Sequence, residues 1–401
     1  MPNRVRTPLA VAMLLAAGLV AGGIAVPAFA ADDYPTWADV LAAKGDEKLK
    51  KKQIAKIEAL IGGLEAKNSG LARDALVAGE RFNQAQDDLD AASARSTKLS
   101  AQAASAAHSA HRSARAAGAL MAQLAKSSSG DLTLELLIDA GRADDLLYSL
   151  SMASKLTQQS ALVFEAAQQD ENTSSALAAQ ASVAKKKLAS TAAKEKSARD
   201  AARSASAAAT VALTAQQAKS KQLYDQLASL KGTTTATETA YAAGLAWEKA
   251  QEAVKTPPVV AKPVNPPPPA PSGSAVDGAI SFALAQVGDA YVLGGYGPDV
   301  WDCSGLTKAA YASVGIYIGT HSSTNQYATM ESEKRLLPLN ELARGDLLFY
   351  SNGGSTTAIK YHTALYIGSG QMVEAPYPGA PVRVKPIRYG DLVPYAGRPT
   401  P

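Results

Sequence analysis

Trp301-Asp302-Cys303-Ser304-Gly305-Leu306 holds the only cysteine in the 401 residues. A lone cysteine forms no internal disulfide. Leu306, Ala310, Tyr311 and Val314 follow it at helical spacing, and Gly315 stops the run. Cys303 therefore sits at a helix N-terminus, where the helix dipole and free N–H groups favour a thiolate. A thiolate is a nucleophile. The competing fate of a free cysteine is a buried apolar position.

What lies around this stretch decides between the two. Fourteen of the 23 aromatic residues fall in 275–401, so this tail reads as a packed globular domain and the longer front part does not. The formal charge of +4 gives no reason to expect a nucleic-acid partner.

Downstream of the cysteine helix, Gly345-Asp346-Leu347-Leu348-Phe349-Tyr350 predicts a turn into a strand. Tyr361-His362-Thr363-Ala364-Leu365-Tyr366-Ile367 predicts a second strand. Gly368-Ser369-Gly370 predicts a hairpin turn and Gln371-Met372-Val373-Glu374-Ala375 the returning strand. If Ile367 pairs with Gln371, Ala364 lies opposite Glu374, and His362 and Glu374 become diagonal neighbours on one face. A carboxylate so placed holds an imidazole in one tautomer while its other nitrogen faces a nucleophile. The alternatives are a structural histidine and a solvated strand glutamate. A cysteine at a helix start, with a base and its orienter downstream, favours nucleophilic catalysis.

Upstream, Val276, Ile280, Ala283, Leu284 and Val287 mark one face of a helix over 275–288. Tyr291-Val292-Leu293-Gly294-Gly295-Tyr296-Gly297 is a turn that lets backbone approach a ligand or a neighbouring strand. It lacks the setting of a nucleotide loop.

Taken together, the tail resembles the NlpC-type cell-wall endopeptidases, which are papain-like cysteine peptidases. The resemblance covers 275–401. It rests on Tyr291-x-x-Gly294-Gly295, Asp302-Cys303-Ser304-Gly305, Gly345-Asp346-Leu347, His362 and Gly370-x-x-x-Glu374-Ala375. It implies an α+β fold with helices packed on an antiparallel sheet. It implies Cys303 as nucleophile, His362 as base and Glu374 as orienter, with Tyr291, Asp302 and Ser304 lining the cleft. Peptidoglycan stem peptides are the implied substrate, cut between D-glutamate and the following diamino acid, and no metal or cofactor is implied. Gly319-Thr320-His321-Ser322-Ser323 replaces a segment that often carries Leu-Pro. This places His321 and Ser322 at the cleft rim and makes His321 a rival base. Leu293 stands where an aromatic residue is common. A non-catalytic wall-binding scaffold, or an amidase or acyltransferase on the same fold, are the alternative functions.

The front part has its own logic. Arg4 and Arg6, an apolar run from Leu9 to Val26 and Ala28-Phe29-Ala30 predict a signal peptide (1–30) cut after Ala30, the alternative being a retained anchor. The protein is therefore expected to be secreted, extracellular or wall-associated. Within 31–255, apolar residues recur alternately every three and four positions from Ile54 to Leu124. Such a repeat, about 3.5 residues on average, predicts a coiled coil. A leucine-rich stretch after Ser127-Ser128-Ser129-Gly130 separates it from a second long helix ending near Leu230, which predicts an antiparallel hairpin. His108 and His111 lie on this arm without an acidic residue or cysteine near in sequence, and they read as a solvated face. The prolines of 256–274 predict an extended spacer. This layout is similar to that of secreted hydrolases that membrane-bound division complexes control through helical arms. A division complex is the implied partner, and closure of the arm over the cleft the implied restraint.

Overall fold

The computed structural model describes residues 35–127, 143–255 and 273–400. The expected leader, the leucine-rich tip and most of the proline-rich spacer lie outside the described residues.

Among the described residues, four helices make the front part: α1 (Trp37–Ala43), α2 (Glu47–Ser127), α3 (Ala143–Lys231) and α4 (Thr235–Lys255). Helices α2 and α3 lie side by side and antiparallel. Ile57, Ile61 and Leu64 of α2 pack with Leu223, Leu227 and Leu230 of α3. Ala72 and Ala75 meet Ala209 and Leu213. Further along, the Ser113 hydroxyl donates to Asp170. The facing partner moves back along α3 as the chain advances along α2. The seam follows the sequence repeat, and alanine makes it thin beyond the first few turns. Among the described residues, no helix is long and apolar enough to cross a membrane.

The tail is α+β, as the resemblance implies. Its helices are α5 (Gly273–Ala285), α6 (Cys303–Ala312) and α7 (Ser323–Ser332). Six strands form one antiparallel sheet: β3 (Leu336–Pro338), β4 (Leu347–Ser351), β5 (Lys360–Gly368), β6 (Gln371–Glu374), β7 (Arg383–Pro386) and β8 (Tyr395–Gly397). Their order across the sheet is β3-β8-β4-β5-β6-β7. A short parallel pair, β1 (Ala290–Tyr291) with β2 (Val300–Trp301), stands apart. All five residues of β4 and the first six of β5 are buried. That pattern suits central strands, and α5, α6 and α7 all pack on β5.

The hairpin of β5 and β6 forms as the sequence predicts, with one irregularity. Leu365 pairs with Val373, the register that sets Glu374 beside Ala364. Gly368, rather than Ile367, faces Gln371, because the register shifts next to the turn. The shift stays beyond the His362 end of the strand. Strands β3, β7 and β8 and helix α7 carry little periodic signal, and the sequence reading did not place them.

Helix α6 is positioned by backbone contact as well as by its core face. A Cβ on Gly305 would lie 2.0 Å from the Gly295 carbonyl oxygen, so the glycine loop and the first turn of α6 touch main chain to main chain. Gly305→Ala is expected to force them apart. It should destabilise the tail by about 2–3 kcal/mol, read as a lower thermal midpoint for residues 273–401.

Candidate active site

Asp302 caps α6. Its Oδ1 accepts from the Gly305 N–H at 2.8 Å and from the Ser304 hydroxyl at 3.1 Å. Its Oδ2 accepts from the Gly294 N–H at 3.0 Å, which ties the glycine loop to the helix. His321 Nε2 lies 2.8 Å from Oδ1. Burial pushes the Asp302 carboxyl up, but the His321 charge and these hydrogen bonds outweigh it and hold the carboxyl below its ordinary value. Burial lowers His321, and the Asp302 charge reverses that, leaving its pKa raised. The His321 nitrogen is thus engaged by the cap, which weighs against its role as rival base.

Cys303 is the first residue of α6 and is buried. Its Sγ lies 3.6 Å from the Ser323 hydroxyl. The thiolate expected from the helix N-terminus is not what this arrangement holds. Burial first, and then the negative charge of Asp302, push the thiol up to about 12; contacts from Ser323 and the Thr363 backbone only partly offset them. The cap that forms the helix also places a carboxylate beside the sulfur.

His362 and Glu374 meet as the hairpin geometry requires, Nε2 to Oε2 at 2.8 Å, both fully buried. His362 Nδ1 has no hydrogen-bond partner among the described residues. Thr363, next in β5, contacts the thiol through its backbone. The imidazole thus has one nitrogen held by a carboxylate and the other uncommitted, one residue from the sulfur's neighbour. Two arginines that the sequence reading missed complete the carboxylate's shell. Arg388 Nη1 donates to Glu374 Oε2 at 2.7 Å, and Arg383 Nε to Oε1 at 3.1 Å. Arg383 is the register partner of Glu374 on β7, a signal available only once β7 is recognised. Burial raises Glu374, but the Arg388 charge, the His362 bond and Arg383 carry it well below the usual range. His362 is lowered, by burial first, with the arginines adding to it against the pull of Glu374.

Of the rim residues, Tyr291 and Ser304 are buried beside Asp302 and Cys303. Ser322 caps α7, accepting from the Asn325 N–H at 3.1 Å. The site is covered by α2. Leu76 of α2 belongs to the tail's own core cluster, with Val77 packed against it. Glu80 accepts from the Ser322 hydroxyl (2.6 Å), the Ser323 N–H (2.9 Å) and the Thr324 N–H (3.0 Å). Asn83 Nδ2 lies 3.3 Å from Asp302 Oδ2 and 3.4 Å from Ser304 Oγ. Thr320 donates to Asp87, and Arg73 pairs with Asp391 at 3.5 Å. Two pockets of about 540 and 560 Å³ flank this helix, and Phe82 and Leu293 line both. They are what remains open of a groove that α2 crosses.

Residues 288–394 match the NlpC/P60 family model. The tail thus carries an NlpC/P60 domain. Over 137 residues the chain is 36% identical to the peptidoglycan endopeptidase RipA of Mycolicibacterium smegmatis, covering 31% of this chain and 26% of that protein. RipB of Mycobacterium tuberculosis, also a peptidoglycan endopeptidase, is 36% identical over 137 residues, 31% of this chain and 53% of that protein. The probable endopeptidase p60 of Listeria monocytogenes is 39% identical over 98 residues, 24% of this chain and 18% of that protein. The chain therefore spans about a quarter to a half of the first of these relatives.

The arginine shell has a measurable signature. Removing the Arg388 charge favours the protonated imidazole, so Arg388→Gln should raise the pKa of the acid limb of the rate–pH profile. Arg388→Lys keeps a charge and should shift that limb less. Profiles of kcat/KM for residues 273–401 and the two variants check this. Glu374→Gln should lower kcat by on the order of 10² to 10⁴ without unfolding the tail.

Proposed function

We propose that this protein is an exported cysteine endopeptidase that hydrolyses peptidoglycan stem peptides, at the bond between D-glutamate and the following diamino acid. The observation that supports the reading is the His362–Glu374 pair, in which Glu374 holds one imidazole nitrogen and the other has no hydrogen-bond partner among the described residues. The names of the relatives supply the substrate class.

In this mechanism His362 takes the thiol proton as Sγ attacks the amide carbonyl carbon. A tetrahedral intermediate forms, with the Cys303 N–H at the helix start as an oxyanion donor and Tyr291 as a helper. Collapse breaks the C–N bond, and His362 returns the proton to the leaving amine. The thioester is then hydrolysed by water activated by the same imidazole. Glu374 stabilises the imidazolium throughout, and the chemistry calls on no metal or cofactor.

The arm restrains this activity. With Cys303 buried and its pKa raised, neither substrate nor thiolate is accommodated until α2 lifts. A membrane-bound division complex pulling on the arm is the partner this reading assigns, which would confine cutting to sites of daughter-cell separation.

The test uses purified residues 273–401, the full chain and a Cys303→Ala tail, each incubated with purified peptidoglycan and read by mass spectrometry. Fragments ending at D-glutamate are expected from the tail, about tenfold fewer from the full chain, and none from Cys303→Ala. A tail no faster than the full chain sinks the closure. Release of whole stem peptides from the sugar points to the amidase alternative.

A further inference from the structure

The second of the two pockets beside α2, about 560 Å³, is one that the mechanism leaves unused. Arg199, Arg203, Ser206 and Thr210 of α3 line it. They follow one another at steps of four, three and four, which sets them on one stripe of the helix. Phe82 of α2 and Leu293 of the glycine loop make part of its wall apolar. Among the described residues no carboxylate lines it, so the charge of its lining is that of the two arginines.

Both arginines have donors to spare. Arg199 Nη1 lies 3.5 Å from Glu195 Oε1, while its Nε is buried with no hydrogen-bond partner among the described residues. Arg203 makes no hydrogen bond or ion pair among the described residues. A buried donor left unpaired costs about 1–3 kcal/mol. The planar fork of a guanidinium matches the oxygens of a carboxylate or a phosphate. Such donors beside an apolar wall suit a ligand with an apolar body and one anionic group. The pocket also has walls from two parts of the molecule. A Cβ on Gly379 would lie 3.4 Å from Thr210 Cγ2, so the turn before β7 rests on the same stripe of α3. A Cβ on Gly294 would lie 3.3 Å from the Phe82 ring. A ligand that touches both walls binds the docked arm and not the lifted one.

We propose that this pocket binds a small anionic ligand, a carboxylate or phosphate on an apolar body, whose oxygens Arg199 and Arg203 hold, and that the bound ligand stabilises the docked arm. A small molecule then sets the position of the arm alongside any protein that pulls on it, because whatever binds one form alone shifts the equilibrium toward that form. The effect on the arm rests on the restraint proposed above; the binding does not.

Titration calorimetry of the full chain tests the site with inorganic phosphate, phenyl phosphate and alanyl-D-glutamate. Phenyl phosphate should bind more tightly than inorganic phosphate, through the wall of Phe82 and Leu293. Whether phenyl phosphate or the dipeptide binds more tightly assigns the anion as phosphate or carboxylate. Arg199→Gln and Arg203→Gln should each weaken the binding about tenfold, and Arg203→Lys should weaken it less. Thermal melting confirms that the variants stay folded. Cys303 is the only cysteine, so its alkylation by iodoacetamide reads arm lifting without depending on turnover. At ten times its Kd the tightest probe should slow alkylation about tenfold, and the double variant Arg199→Gln, Arg203→Gln should lose this protection. If neither phenyl phosphate nor the dipeptide binds, or if the double variant binds them as well as the unmutated chain, the site is overturned. Binding that the variants abolish, with alkylation unslowed at saturation, overturns the coupling to the arm. Full-chain alkylation as fast as that of free N-acetylcysteine means that the restraint itself fails, and calorimetry still decides the site.

Discussion

A carboxylate buried at the start of α6 organises this molecule. Asp302 has to be satisfied where water does not reach it, since an unpaired buried charge is far too costly to keep. Its partners are the parts of the site: the first turn of α6 that carries Cys303, the Gly294 turn, His321 from the loop before α7, and Asn83 from the arm. One side chain therefore sets the position of the sulfur, the floor of the cleft and part of the lid. After burial, its charge is the next influence pushing the adjacent Cys303 thiol up.

The same constraint recurs. Glu374 is met by His362, Arg383 and Arg388, Asp346 by Arg398 Nε and Nη2, each at 2.9 Å, and Glu80 by the start of α7. Each buried carboxylate joins segments distant in sequence. In this tail the polar pairs specify which elements meet, and the apolar cluster around β4 and β5 supplies the driving force for meeting.

Legibility from sequence followed this division. The hairpin was readable because alternation and a two-glycine turn are local, and they placed His362 against Glu374 before any coordinates. Cys303 at a helix start was readable for the same reason. Arg383 and Arg388 were not, since β7 is a short, partly exposed strand with no clear alternation. Glu80, Asn83 and Asp87 were hidden by a different cause. The repeat of α2 has one seam, so every other position reads as a solvated face. Between Ala72 and Asn83 the helix is buried on two faces, one against α3 and one against the tail, and a single-seam pattern has no means of showing the second. Burial and the Asp302 charge push the Cys303 thiol up, opposite to the direction expected from the helix start alone.

That second face also shows why closure need not be permanent. The arm brings Leu76, Val77 and Phe82 to the tail, Tyr377 of the tail packs on the arm's cluster of Ala72, Ala75, Ala209 and Leu213, and the contact also carries hydrogen bonds and one half-exposed ion pair from Arg73. Hydrogen bonds exchanged for water contribute about 1 kcal/mol each, and exposed ion pairs less. The polar contacts along this interface can each be exchanged for water, which the lifting of the arm proposed above would require. In the opening proposed above, the polar groups of the cleft would keep their places, because α6 and α7 are tied to each other through Gln326 and not through the arm.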